Sequence, residues 1–225
     1  MKISVVVPIF NEEATILDTL DMLDELEGDK EVVLVDGGST DKTIELIGDR
    51  AKLVKSPKGR AKQMNQGAEV TTGEAILFLH CDSKVGRSIL KCIGKALMDT
   101  KVIGGGCTLE IDDPRFIFKI ISFGSNLRPK MSGIFFGDQG IFVRREAFKR
   151  VGGFPDIELM EEWEFCRKLK KVGKLVQLPE RIVTSARRWH KNGIWKTIWI
   201  MHKLKALYLR GVPPEELNRI YRDAR

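Results

Sequence analysis

The sequence predicts an α/β fold with a mainly parallel central sheet flanked by helices. Three observations predict it. Short apolar runs alternate with helix-period segments through the first half of the chain. The second apolar run, Val32 to Val35, ends in Asp36-Gly37-Gly38-Ser39-Thr40, an acid at the end of a strand followed by a turn and helix-starting residues. The 225 residues are 43% hydrophobic, enough for one large core, and no uncharged apolar run reaches the ~18 residues that span a bilayer.

Taken in order, the apolar start Ile3 to Phe10 is too short for a signal peptide and lacks a small-residue cleavage site, so Ile3–Val7 reads as a buried strand. Asn11 caps a helix over Glu12–Leu26, whose Ile16, Leu17, Leu20, Leu23 and Leu26 mark one face. Strand–helix pairs follow at Glu31–Val35 with Asp41–Ile47, Lys52–Lys55 with Arg60–Val70, and Ala75–Leu79 with Ser88–Met98. Val102–Ile111 reads as a strand loosened by Gly104-Gly105-Gly106, and Pro114 opens a helix running to about Leu127. A strand near Gly140–Arg144, a helix over Glu161–Val172, a strand near Leu175–Leu178 and two closing helices complete the chain. Without repeats or linkers, residues 1–225 read as a single domain, with 190–225 as a helical appendage within it.

The net charge of +7 sits at one end. Arg181 to Arg225 holds 11 Lys+Arg against 3 Asp+Glu, leaving the rest of the chain near −1. Nucleic acid, anionic membrane and diphosphate ligands all suit such a patch, and a solvated charged face is the plainer reading. Nucleic acid is not expected as a partner. The four cysteines are scattered without a CxxC pair, which argues against a zinc site or a disulfide framework and for a reducing, cytoplasmic setting. In Ile194–Arg210, Lys196, Lys203 and Arg210 recur every seven residues beside Trp195 and Trp199. That helix packs on the domain or on a twin subunit, as a homodimer, or lies on the inner membrane face.

Several constellations carry chemistry. Asp36 has the acceptor capacity to bind a uracil or guanine N–H or a ribose hydroxyl. Pro8 and Asn11 follow the first strand, where a rigid turn and a short amide can hold a ligand or cap a helix. Arg60, at a helix start, can clamp a diphosphate bidentately, or lie on an ordinary surface helix. His80-Cys81-Asp82 ends the fourth strand and sets a carboxylate beside an imidazole, which suits softer transition ions or is satisfied as a buried histidine. Phe136-Gly137-Asp138-Gln139-Gly140 combines a tight backbone with two polar side chains. Glu161, Glu162 and Glu164 crowd one helix start beside Leu159, Met160 and Trp163, where apolar neighbours can lift a carboxylate toward neutrality. Arg187-Arg188-Trp189 adds cations and a ring.

Val5-Val6-Val7-Pro8-Ile9-Phe10-Asn11 and the Asp36 segment together resemble the nucleotide-sugar half of family 2 glycosyltransferases, and the resemblance extends from about Lys2 to Val212. It implies the GT-A (nucleotide-diphospho-sugar transferase) fold and inverting sugar transfer from a nucleotide-diphosphate donor to an acceptor hydroxyl. The acceptor class stays open between small molecule, lipid-linked carrier and glycan. The resemblance further implies a divalent cation, Mn2+ or Mg2+, held by Asp82 and His80. Donor contacts would come from Pro8, Asn11, Asp36, Arg60, Asp82 and Arg188, and acceptor contacts from Asp138, Gln139, Glu161 and Trp189. Glu162 would be the general base. The chain departs from the family twice: His80 replaces the first acid of an Asp-x-Asp motif, and Glu162 replaces an aspartate. Those departures keep a second reading open, a catalytically degenerate nucleotide-sugar binder or membrane-docking protein. A sugar-nucleotide pyrophosphorylase would need a glycine-rich, arginine-containing loop after the first strand, which Pro8-Ile9-Phe10-Asn11 does not supply.

Overall fold

The computed structural model describes residues 1–223, with the side chains of Arg188 and Asp223 outside the description. The chain runs β1 (Ile3–Ile9), α1 (Ile16–Asp24), β2 (Lys30–Asp36), α2 (Thr43–Ile47), β3 (Lys52–Lys55), α3 (Arg60–Glu69), β4 (Ala75–Phe78), β5 (Ser83–Val85), α4 (Ile89–Ala96), β6 (Val102–Ile111) and α5 (Phe116–Ser132). A 3-10 turn at Gly137–Gln139 leads to β7 (Ile141–Arg144), α6 (Arg145–Val151), α7 (Glu161–Leu169), β8 (Lys174–Thr184), α8 (Arg187–Asn192), α9 (Ile194–Leu209) and α10 (Pro214–Asp223).

The strands form one eight-stranded sheet in the order β3-β2-β1-β4-β7-β6-β8-β5. β1 to β4 are mutually parallel, so their carboxyl ends open on one edge. β7 runs antiparallel between β4 and β6, and β8 is parallel to β6. Both faces are covered. Val5, Val7 and Leu34 pack with Ile16, Leu20 and Ile93 on one side, while Val6, Val33 and Val35 pack with Met64, Phe148 and Phe165 on the other. That two-sided burial explains why these strands read as unbroken apolar runs.

Several elements differ from the sequence expectation. α1 begins at Ile16 and Asn11 does not cap it. Asn11 adopts φ +55°, its Oδ1 accepts from Thr40 N at 2.8 Å, and its own N donates to Ser39 Oγ at 2.9 Å. The residue is spent joining two loops. β1 extends through Ile9, so Pro8 lies inside the strand, opposite Val35. β4 ends opposite Val6, so the proline costs no ladder bond on that side. β6 is continuous. Its glycines are demanded by packing, since a Cβ on Gly105 would run into the Val176 carbonyl of β8.

β8 is far longer than Leu175–Leu178 because the ladder with β6 survives Pro179 through a register shift between Gly106 and Thr108. β5 and α6 were not expected, α5 continues through Pro129 to Ser132, and three helices rather than two close the chain. α9 and α10 pack on the start of α7, where Ile200, Leu204 and Leu217 meet Met160 and Trp163.

Candidate active site

The parallel strand ends place three loops side by side, and side chains stitch them together. Gln63 of α3 donates from Nε2 to both Ile9 O and Val35 O at 2.8 Å, tying α3 to the ends of β1 and β2. Asp36 is buried, and its carboxylate accepts from Gly38 N and Ser39 N at 3.0 Å. It therefore shapes the loop after β2. Thr43 Oγ1 accepts from Glu12 N at 2.7 Å, a further tie between the first two loops.

Asp82 follows β4, is half-exposed, and lies 3.9 Å from Arg187 Nη2 at the start of α8. Both line a cavity of about 270 Å³ with Thr15, Asp18, Cys81 and Asp112. Glu12 stands within electrostatic reach of Asp82 and Arg187, and burial raises its carboxyl above the ordinary range.

Beside this opening sits a cluster of buried charge. Met160 takes φ +69°, a conformation that bulky residues rarely adopt, and it turns the chain so that α7 starts with Glu161 and Glu162 pointing inward. The two carboxyls are 2% and 4% exposed, almost unknown for unpaired acids. Arg60, from the start of α3, crosses to them with Nη1 at 3.2 Å from Glu162 Oε1 and 3.5 Å from Glu161 Oε1. Burial, then the neighbouring charge of Glu162, pushes Glu161 up to about 8 against the pull of Arg60. Burial beside Glu162 thus favours the protonated form of Glu161, which hydrogen-bonds Glu162.

His80 reaches the cluster from the end of β4. A Cβ on Gly137 would collide with His80 Nε2 and sit 2.9 Å from Glu162 Oε1, so the ring and the carboxylate close on that glycine. Asp138, next in the turn, shares the field of Arg60, Arg128 and Lys205. Arg128 of α5 and Lys205 of α9 both stack on Phe136, at 4.3 and 5.2 Å from the ring centre. Burial, helped by Arg128, lowers Lys205 to about 8.

Two residues expected to meet an acceptor are turned away. Gln139 is fully buried, its Nε2 on Cys107 O and its Oε1 taken by Arg128 Nη2 at 2.5 Å. Trp189 packs edge-on against Phe118 with ring centres 6.0 Å apart, in a satellite core. Arg188's side chain lies outside the described residues. Among the described residues no group of three His, Cys, Asp or Glu is arranged to hold a metal ion.

Sequence reasoning missed Gln63, Arg128, Lys205 and Glu12. For Lys205 a signal existed: it lies off the strip of Lys196, Lys203 and Arg210, on the apolar face that Ile198 and Met201 occupy. Nothing local marks Arg128.

Comparison with known proteins agrees with this architecture. Residues 4–152 match the pattern of Glycosyl transferase family 2. An uncharacterized glycosyltransferase of Haemophilus influenzae is 29% identical over 76% of this chain and 72% of its own. A PGL/p-HBAD biosynthesis glycosyltransferase of Mycobacterium bovis is 34% identical over 36% of each chain. The solved mannosyltransferase PcManGT from Pyrobaculum calidifontis, in complex with GDP-Man and Mn2+, superposes with a TM-score of 0.70 at 24% identity, over 95% of this chain and 66% of its own. These structural neighbours are GT-A transferases. With the family pattern covering more than half of its length on that fold, the chain belongs to glycosyl transferase family 2.

Proposed function

We propose that this chain transfers a sugar from a nucleoside-diphosphate donor to an acceptor hydroxyl with inversion, using Glu162 as general base. The observation that carries this reading is the buried Glu161–Glu162 pair, bridged by Arg60 and closed over by His80, beside the open ends of the parallel strands. The acceptor oxygen attacks the anomeric carbon while the bond to the diphosphate oxygen breaks. The electron pair leaves with the nucleoside diphosphate, and the acceptor proton passes to the Glu162 carboxylate. Protonated Glu161 and Arg60 hold that carboxylate in place, and water is kept from it by burial.

The donor lies over the loops of Asn11 and Asp36, with Pro8 acting only through the strand that positions them. A divalent cation fits a donor set of Asp82 plus the diphosphate's own oxygens, since magnesium-type sites commonly use one or two carboxylates and substrate phosphates. When bound, it neutralises charge on the departing diphosphate. Because the His80 ring closes on Gly137 and Glu162, Asp82 is the protein ligand and His80 belongs to the carboxylate pair. Arg187, 3.9 Å from Asp82, takes up the departing diphosphate, while Arg60 is engaged with the carboxyl pair. Among the solved relatives, PcManGT holds GDP-Man and Staphylococcus aureus TarS holds UDP-GlcNAc, so the donors to screen first are GDP- and UDP-sugars.

The test is Glu162→Gln, which keeps shape and removes basicity. Turnover should fall by about 10²–10⁴-fold while donor binding by calorimetry stays within about twofold, well under 1 kcal/mol. A parallel loss of donor affinity reassigns Glu162 to binding. Unchanged turnover removes it from the reaction.

A further inference from the structure

We infer that the outer faces of α5 and α9 form a docking surface for an anionic membrane. Eight of the eleven large apolar side chains that stand exposed among the described residues lie on these two helices. On α5 they are Phe116, Ile120, Phe123, Leu127 and Met131, a spacing that confines them to about 80° of arc at 3.6 residues per turn. On α9 they include Trp195 and Trp199. Phe116, Phe123, Trp195 and Trp199 leave 61–75% of their surfaces to solvent, a cost that a lone core-building helix has no reason to bear.

The inner faces of the same helices already have partners. Ile117, Phe118 and Ile121 of α5 share a cluster with Ile194, Ile198 and Met201 of α9, which sets the two helices side by side. The two outward stripes therefore flank one shared core.

Charge identifies the occupant. Neither helix contains a single Asp or Glu, and the acid-free stretch around α9 runs from Arg181 to Pro214. Exposed Lys119 and Lys130 border the α5 stripe, while Lys196, Lys203 and Arg210 border the two tryptophans, with Lys203 Nζ 4.8 Å from the centre of the Trp199 ring. The nearest acid in sequence, Asp113, is held by Arg115 and His190. Aromatic rings between lysines, with no carboxylate among them, match the interface of a bilayer carrying anionic headgroups. A protein partner of ordinary composition would be met by both signs of charge. No helix of the described residues is long and apolar enough to cross a membrane, so the contact is peripheral.

The inner faces of these helices also deliver Arg128 and Lys205 to the candidate site. A bilayer under α5 and α9 would thus bring a lipid-borne acceptor to the charged cluster. That extension rests on the transfer reaction proposed above; the docking itself does not.

The experiment is flotation of the full chain with vesicles of phosphatidylcholine alone and with about a third phosphatidylglycerol. Binding is expected to the anionic vesicles, weakened by salt. The double variant Phe123→Ser/Trp199→Ser should partition at least about tenfold less, a difference of ~1.4 kcal/mol. Leu17→Ser/Met98→Ser, which removes exposed apolar groups elsewhere, should partition like the parent. Equal flotation of parent and double variant, no flotation of the parent, or equal binding to neutral vesicles overturns the inference. A concentration-dependent dimer that the double variant abolishes would overturn it too, assigning the face to a second copy of the chain. Nucleotide binding, measured alongside, reports on the transfer reading independently.

Discussion

The loops after β1 and β2 and the charged cluster at the start of α7 occupy the same rim but are organised by opposite physics. The loops are held by neutral or singly charged hydrogen bonds to backbone amides: Asn11 to Thr40, Ser39 to Asn11, Asp36 to Gly38 and Ser39. The neutral bonds contribute about 1 kcal/mol each, and solvent can replace them, while those to the buried Asp36 carboxylate contribute about 1.5–3 kcal/mol. The cluster is held by two buried carboxyls, 2% and 4% exposed, paired with an Arg60 guanidinium whose side chain is 46% open to solvent. Removing Arg60 there leaves a buried carboxylate without its cation, a cost of up to about 3–5 kcal/mol, whereas removing a glutamate leaves a guanidinium that solvent can reach. A rim built this way should tolerate change where the donor is proposed to sit and punish it where the proton is proposed to move.

After Glu162→Gln, the largest effect should come from Gly137→Ala. The added methyl would collide with His80 Nε2 and lie 2.9 Å from Glu162 Oε1. Because the backbone at Gly137 does not need a positive φ, the fold can accept alanine and the cost falls on the position of the ring and the carboxylate. A displacement of about 1 Å costs roughly 10²-fold in rate. Turnover should drop by that factor, and the melting temperature should fall to reflect the roughly 1–3 kcal/mol that overpacking a buried site costs. A normal rate would show that His80 and Glu162 need not approach one another, and the contrast between the two regions would lose its sharp side.

Asp82→Ala should act on the other side and more gently. The carboxylate is half-exposed with only a 3.9 Å pairing to Arg187, so its removal leaves no buried charge behind. Nucleoside-diphosphate affinity should weaken about tenfold in manganese, ~1.4 kcal/mol, and should lose its response to the cation. If manganese strengthens binding to the variant as much as to the parent, Asp82 is not the ligand and the loop holds the diphosphate by other means.

The same contrast explains what could be read from the sequence. The first four strands, the acid ending β2 and the glutamate doublet are written in local order, as apolar runs, turn residues and neighbouring acids. Those features survive folding because each depends on residues within a few positions. The contacts that set the chemistry do not. Arg60 reads as a helix-start cation free for phosphate, yet it meets Glu162 from 102 positions away. Gln139 reads as an acceptor-facing amide until Cys107 and Arg128 close over it. Trp189 reads as a stacking platform, but Phe118 and Ile111 form a pocket that buries it. The strand expected near Leu175–Leu178 runs on past Pro179, carried by a register shift with β6. In each case a partner distant in sequence decided between two uses of one side chain, and the local pattern contained no term for it.

The smallest expected effect tests the cluster through stability rather than rate. Burial and the adjacent Glu162 hold Glu161 at about 8, above the ordinary carboxyl value of 4.5. Between those values the folded chain binds a proton that the unfolded chain has released, so stability falls as pH rises. The contribution is fully present below about pH 4.5 and lost as pH climbs through about 8. Glu161→Gln removes the titration while keeping a donor toward Glu162. The parent should therefore lose melting temperature between pH 6 and pH 8.5 by several degrees more than the variant, at about 2–4 °C per kcal/mol for a chain of this size. The loop variant Asn11→Ala, by contrast, should show the parent's pH slope with a uniform small offset. If Glu161→Gln keeps the parent's slope, the proton is not held at that carboxyl, and the cluster is organised by Arg60 alone.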